Sequence, residues 1–235
     1  VPPNDHAQRL AAARTPSPTA DGRVLIIADS RNRAAQQNFA SLIPGASTVE
    51  AVDLQDLINF ANSFDVAAPN ALGKLLELAQ SVMTNVGVAE LKRRLEALAR
   101  GTAKNPPSDV EIRVLEFLRT PSLSGAAMLL SELRALPNVR VHRPAILYGV
   151  LKALREASSG VVSLADAARR VREENRLLGR PLPKRAVGST LLLKGLEAEV
   201  AVVLNTENMN AQNLYVAMTR GSMKLVVCSS DPIVG

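Results

Sequence analysis

Tryptophan is absent from this 235-residue chain, cysteine occurs once and aromatic residues make up 3% of it. Each shortage closes off a class of protein. One cysteine, Cys228, cannot form an internal disulfide, which excludes a disulfide-stapled scaffold and suits a reducing compartment, so a cytoplasmic location is expected. It lies in the strand-like run KLVVCS and reads as a buried, inert thiol. The two histidines, His6 and His142, stand far apart and with one cysteine offer no metal-ligand spacing, so no metal site is expected. No apolar run reaches the roughly 18 residues that a membrane span needs, and no membrane partner is expected. Residues 1–20 are polar and proline-bearing, without the apolar stretch of a secretory signal. The few rings sit mostly at helix-core spacing and leave little for base stacking. Any nucleic-acid contact should therefore be directed at phosphates.

An apolar fraction of 47% supports a real core. The net charge of +6 is unevenly placed: residues 91–187 hold 19 Lys and Arg against 9 Asp and Glu, a local net of +10, while the flanks sum to −4. Such asymmetry suits a polyanion partner, and it equally suits a solvated helical surface.

The apolar pattern changes period twice. Residues 1–22 carry PP, TPSP and DG and read as a flexible leader. Residues 23–29, RVLIIAD, form a short apolar run of the kind buried on both faces of a parallel sheet. Ser30 can cap a helix over 32–42, and Pro44-Gly45 then makes a turn. From 54 to 178 the apolar spacing is three and four, which predicts helices over 54–63, 71–84, 88–99, 108–118, 124–136, 144–157 and 163–178, with Asn70, Ser108 and Ser163 as start signals. Past Pro181 and Pro183 a β-like texture returns, with strands expected over 187–193, 200–204 and 225–229. A helix capped by Asn208 or Asn210 is expected over 211–220. The pattern predicts an α/β fold, with residues 23–50 and 183–235 forming a mainly parallel sheet domain and residues 51–182 an all-helical insertion.

Two polar constellations stand against the last apolar runs. In KGLEAE, Gly195 permits close backbone approach to a ligand, Glu197 can accept from a ribose hydroxyl and Lys194 is a compact charge for a phosphate. A plain turn accounts for the same residues. In NLYVAMTRG, Arg220 falls at the end of the predicted helix, where a planar, permanently charged guanidinium can reach a phosphate. It can equally complete the helix C-terminus by neutralising its dipole.

Together, in this order, the two resemble motifs V and VI of superfamily 1 DNA helicases of the UvrD/Rep type. The family pattern T-x-H-x-x-K-G-L-E-x-D appears as STLLLKGLEAE from Ser189 to Glu199, and R-R-L-x-Y-V-A-x-T-R-A appears as AQNLYVAMTRG from Ala211 to Gly221. RVLIIADSRNRAAQ is similar to the segment after the family's motif IV. The resemblance implies a RecA-like (P-loop NTPase-like) 2A domain with a helical 2B-like insertion, taken from an ATP-dependent helicase. It implies Arg220 as the catalytic arginine at the γ-phosphate, with Lys194, Gly195 and Glu197 around the nucleotide. It places Ser189, Thr190, Arg31 and Asn32 toward single-stranded DNA, and the basic run Lys92, Arg93 and Arg94 of the insertion is a further candidate for DNA. ATP and Mg²⁺ would be the ligands of the intact enzyme, and the partner an N-terminal RecA-like domain of the same protein.

The departures are informative. Leu191 stands where the family often has histidine, Ala211 and Gln212 replace an arginine pair, and Asn213 replaces a leucine. No G-x-x-x-x-G-K-[ST] loop occurs: around Gly73-Lys74, Ala68 takes the place of the first glycine and Leu75 that of the hydroxyl residue. No strand ending in D-E-x-Q occurs either. The chain alone is therefore expected to be inactive toward ATP. Two rivals remain at this level: a non-catalytic module that binds DNA or protein, and an unrelated α/β domain with a helical cap. Glu197 and Arg220 on opposite sides of the sheet would favour the second.

Overall fold

The computed structural model describes residues 6–28, 32–178 and 182–229. The chain opens with helix α1 (His6–Ala13), strand β1 (Val24–Ala28), α2 (Arg33–Leu42) and β2 (Ala46–Thr48). It continues through α3 (Gln55–Ser63), α4 (Ala71–Val82), β3 (Met83–Thr84), α5 (Val88–Ala99), α6 (Asp109–Arg119), α7 (Leu123–Ala135), β4 (Arg140–Val141), α8 (Pro144–Ala157) and α9 (Leu164–Leu178). It closes with β5 (Arg185–Ser189), β6 (Ala198–Val203), a 3-10 turn (Thr206–Asn208), α10 (Ala211–Met218) and β7 (Gly221–Val227). Two compact units result: Val1–Ala51 with Arg180–Gly235, and Val52–Gly179.

The first unit is α/β. Among the described residues its five strands are all parallel, in the order β2-β5-β1-β6-β7. β1 is central and buried at every position, which explains its unbroken apolar sequence. Alternation divides the core between two faces. Val24, Ile26 and Ala28 pack with Val187, Val200 and Val202 against Ala13 of α1 and Phe39, Ala40 and Ile43 at α2. Leu25 and Ile27 pack with Ala186, Ala201 and Val203 against Leu193, Leu214 and Ala217. The β1-to-β2 crossover moves one way across the sheet on the first face. The β5-to-β6 and β6-to-β7 crossovers move the other way on the second. Opposite directions on opposite faces give all three connections one hand, as the strong handedness preference of parallel sheets requires.

Several sequence expectations are corrected. The segment 1–22, expected to be a flexible leader, contains α1, whose Ala13 is fully buried while Arg185 donates to the carbonyls of Ala13 and Thr15. The strand expected over 187–193 ends at Ser189. There Leu193 N–H donates to the Ser189 carbonyl (3.0 Å) and Leu192 N–H to Ser189 Oγ (3.3 Å), turning the chain out of the sheet. The three-residue β2 has too little periodicity to be read in advance. Ser30 lies outside the described residues, and Asn32 caps α2 by accepting from Ala35 N–H (2.9 Å).

Among the described residues the second unit holds seven helices around one core that includes Leu57, Leu75, Leu76, Leu129, Leu130, Leu133, Leu147 and Leu154. It is not all-helical. Residues 83–84, expected to end a helix, pair antiparallel with Arg140–Val141, and Asn85 then adopts a left-handed turn conformation (φ 61°). Helix α8 buries eight of its fourteen residues and is the most enclosed element of this core. The Ser108–Glu111 capping box starts α6, whereas Asn70 makes no side-chain cap to α4.

His142 lies in this unit, 6% exposed, with Nδ1 lacking a hydrogen-bond partner among the described residues. Burial, reinforced by the Arg143 charge, pulls its pKa from 6.5 down to about 4. The folded value lies below the unfolded one, so between pH 6.5 and 4 the unfolded chain binds more protons and folding weakens as pH falls. Thermal unfolding followed from pH 7 to 4 should show this loss, amounting to as much as about 3 kcal/mol. The loss should be smaller by that amount in His142→Phe over the same window.

Candidate functional site

The two motifs meet at the N-terminal edge of β6 and β7. After Ser189 the chain crosses the second face of the sheet, anchored by fully buried Leu193. Lys194 and Gly195 follow in the turn that ends this crossover, and Gly195 takes φ +80°, which only glycine adopts readily. Glu197 immediately precedes β6. Lys194 and Glu197 are exposed, and neither forms an ion pair among the described residues.

Helix α10 brings the second motif to the same place. Asn210 caps it by accepting from Asn213 N–H (2.8 Å), Leu214 and Ala217 face the sheet, and Tyr215 is 71% exposed on the outer side. The helix ends at Met218. Thr219 and Arg220 turn the chain, and the Arg220 carbonyl accepts from Ala198 N–H (3.1 Å), the first residue of β6. Glu197 and Arg220 therefore lie at one edge.

The guanidinium of Arg220 is half-buried and held by three acceptors. Nε donates to the Val216 carbonyl (2.9 Å), Nη1 to the Leu196 carbonyl (3.3 Å) and Nη2 to Thr219 Oγ1 (3.0 Å). The Thr219 hydroxyl in turn donates to the Val216 carbonyl (3.1 Å). No acid pairs with Arg220 among the described residues. Of its five N–H donors three are engaged, which leaves one on each terminal nitrogen. The Leu196 carbonyl belongs to the first motif, so this contact ties the two motifs together directly.

Gly221 explains how the edge closes. A Cβ there would lie 2.6 Å from the Lys224 carbonyl and 2.9 Å from Ala201 N, and the β6–β7 register shifts at this point. Only glycine allows this approach.

The other sequence candidates fall elsewhere. Ser189 and Thr190 are buried at the opposite, C-terminal end of β5. Asn32 is engaged as the cap of α2, and Arg31 lies outside the described residues. Lys92, Arg93 and Arg94 belong to α5 in the second unit. Arg93 pairs with Glu90 (2.6 Å), while Arg94 grips both oxygens of Glu111 (2.8 and 3.1 Å) and the carbonyls of Asn105 and Pro106. The Arg94 guanidinium holds the Glu111 carboxyl below its ordinary range. Arg94 is thus a structural clamp, and of the three only Lys92 is without an acid partner among the described residues.

Among the described residues no three His, Cys, Asp or Glu side chains cluster to hold a metal. No described helix is long and apolar enough to cross a membrane. Comparison with family models, characterised proteins and solved structures finds no match to the chain.

The sequence shows Thr219 and Gly221 only as members of TRG, with no role at the site, and shows no sign of the Leu196 carbonyl. A backbone carbonyl has no sequence signature. The other two adjoin Arg220 in TRG, and that adjacency was the available signal. Gly221→Val should destabilise the first unit by about 1–3 kcal/mol, the range for overpacking a close contact. Urea denaturation would measure the loss, with Gly195→Ala costing about 1 kcal/mol for its left-handed backbone.

Proposed function

We propose that this chain is the 2A-type, RecA-like part of a UvrD/Rep-like ATP-dependent DNA helicase or translocase, with residues 52–179 as its helical insertion. The observation that carries this reading is the Arg220 contact with the Leu196 carbonyl, which joins KGLE to TRG at one sheet edge and leaves two guanidinium donors without an acid partner. In this reading ATP with its Mg²⁺ is held by an N-terminal RecA-like domain of the same protein, and the cleft closes onto the edge described here. Arg220 then spreads charge from the terminal phosphoryl group, Glu197 takes a ribose hydroxyl and Lys194 adds a compact positive charge.

The DNA in this reading is single-stranded and gripped by its phosphates. Asn32, Ser189 and Thr190 share the C-terminal ends of the central strands, the edge where parallel sheets present loops to ligands. A second reading, a helicase-like module that binds DNA or protein without catalysis, draws support from the Arg220 contact with Val216. That contact completes the C-terminus of α10 and is what a purely structural arginine would make.

Turnover separates the two. With the ATP-binding domain present, Arg220→Ala should lower DNA-stimulated kcat by about 10³- to 10⁵-fold, the range of arginines in this role. Stability should fall by about 1–3 kcal/mol for the lost charge-assisted hydrogen bonds without unfolding the domain, and lysine should rescue little because it lacks the forked donor pair. Unchanged turnover, or an unfolded Arg220→Ala protein, would leave the structural role standing. The 235-residue chain alone should hydrolyse no ATP.

A further inference from the structure

We propose that Thr219 is a positioning residue for Arg220, holding the guanidinium so that one N–H on each terminal nitrogen faces outward as a fork for a phosphoryl group. This rests on the reading of Arg220 as a phosphate-facing arginine. The Thr219 hydroxyl has its hydrogen committed to the Val216 carbonyl and offers a lone pair to Arg220 Nη2. Its rotor is therefore fixed, and with it the side of the guanidinium it contacts. The Leu196 carbonyl fixes Nη1 from the other motif, and Gly195, at φ +80°, lies immediately before it in the turn. The Val216 carbonyl takes Nε. Three acceptors around a rigid, planar group define its orientation, and one donor is left on each terminal nitrogen for a phosphate.

A cap alone does not require the hydroxyl. The Thr219 backbone N–H already bonds the Tyr215 carbonyl (3.1 Å), and the Val216 carbonyl has Arg220 Nε as a donor without it. Thr219 is also exposed, so its side chain is not holding the core. What the hydroxyl adds is the second point that stops the guanidinium rotating about its Nε contact. Serine preserves that bond, while valine keeps the shape and removes it.

The test follows the Nε–Hε signal of Arg220 in the ¹⁵N-labelled chain, assigned by its disappearance in Arg220→Lys, during titration with sodium pyrophosphate at constant ionic strength. Wild type and Thr219→Ser should shift saturably with similar affinity. Thr219→Val and Thr219→Ala should bind about fivefold more weakly, the effect of one misplaced charge-assisted hydrogen bond, with unchanged thermal midpoints. Valine and alanine variants that bind like wild type would overturn the positioning role, as would a serine variant as weak as valine. A wild-type signal that ignores pyrophosphate would overturn the phosphate-facing reading itself, and the inference with it. Should valine unfold the chain, the alanine and serine pair decides.

Discussion

The parallel pairing of β1 with β5 on one side and β6 on the other is the constraint on which the first unit depends. Val24 stands opposite both Arg185 and Val200, so one strand from the start of the chain fixes the register of two from near its end. With β1 between them, β5 and β6 cannot be joined by a tight turn. The chain must leave Ser189 at one edge and return across a sheet face to Ala198 at the other. That crossover ends in KGLE. The next connection, through α10, must end at the same edge to start β7, and it ends in TRG. The meeting of the two motifs thus follows from strand order, and the Arg220–Leu196 contact is its local consequence.

Charge is distributed differently from what a sliding window along the sequence indicates. The +10 excess over residues 91–187 does not belong to one compact body. Residues 52–179 carry 17 Lys and Arg against 14 Asp and Glu, a net of +3, because the acidic stretch before residue 91 folds with the basic one after it. Many of those arginines are also neutralised at close range: Arg113 by Glu116, Arg169 by Asp166, and Arg172 and Arg176 by Glu173. Exposed pairs of this kind contribute little to stability, but they reduce the field available to a polyanion. By contrast Arg220 and Lys194 have no acid partner among the described residues. Availability, not local charge density, marks the candidate site.

What the sequence revealed depended on whether the signal was local. RVLIIAD announced a doubly buried strand because burial on both faces demands an unbroken apolar run. The helices between residues 54 and 178 announced themselves by their spacing, and Ser108 and Asn210 by their capping chemistry. What stayed hidden arises from distant parts of the chain. The strand β2 exists because β5 offers it an edge. Helix α1 is ordered because a sheet face needs covering. The end of β5 at Ser189 is set by a side-chain bond to Leu192. At the site, Arg220 and Glu197 could be picked out by residue type, whereas Thr219 and the Leu196 carbonyl matter only through where the fold puts them.

In the proposed helicase reading, the Arg220 fork meets a phosphoryl group across a closed cleft. A structure of the intact protein with ADP and aluminium fluoride, a mimic of phosphoryl transfer, tests it directly. The two terminal nitrogens of Arg220 should lie within hydrogen-bonding distance of the fluoroaluminate, with Nη2 still on Thr219 Oγ1. An Arg220 that remains on Val216, Leu196 and Thr219 while the fluoroaluminate is contacted by other groups would contradict it.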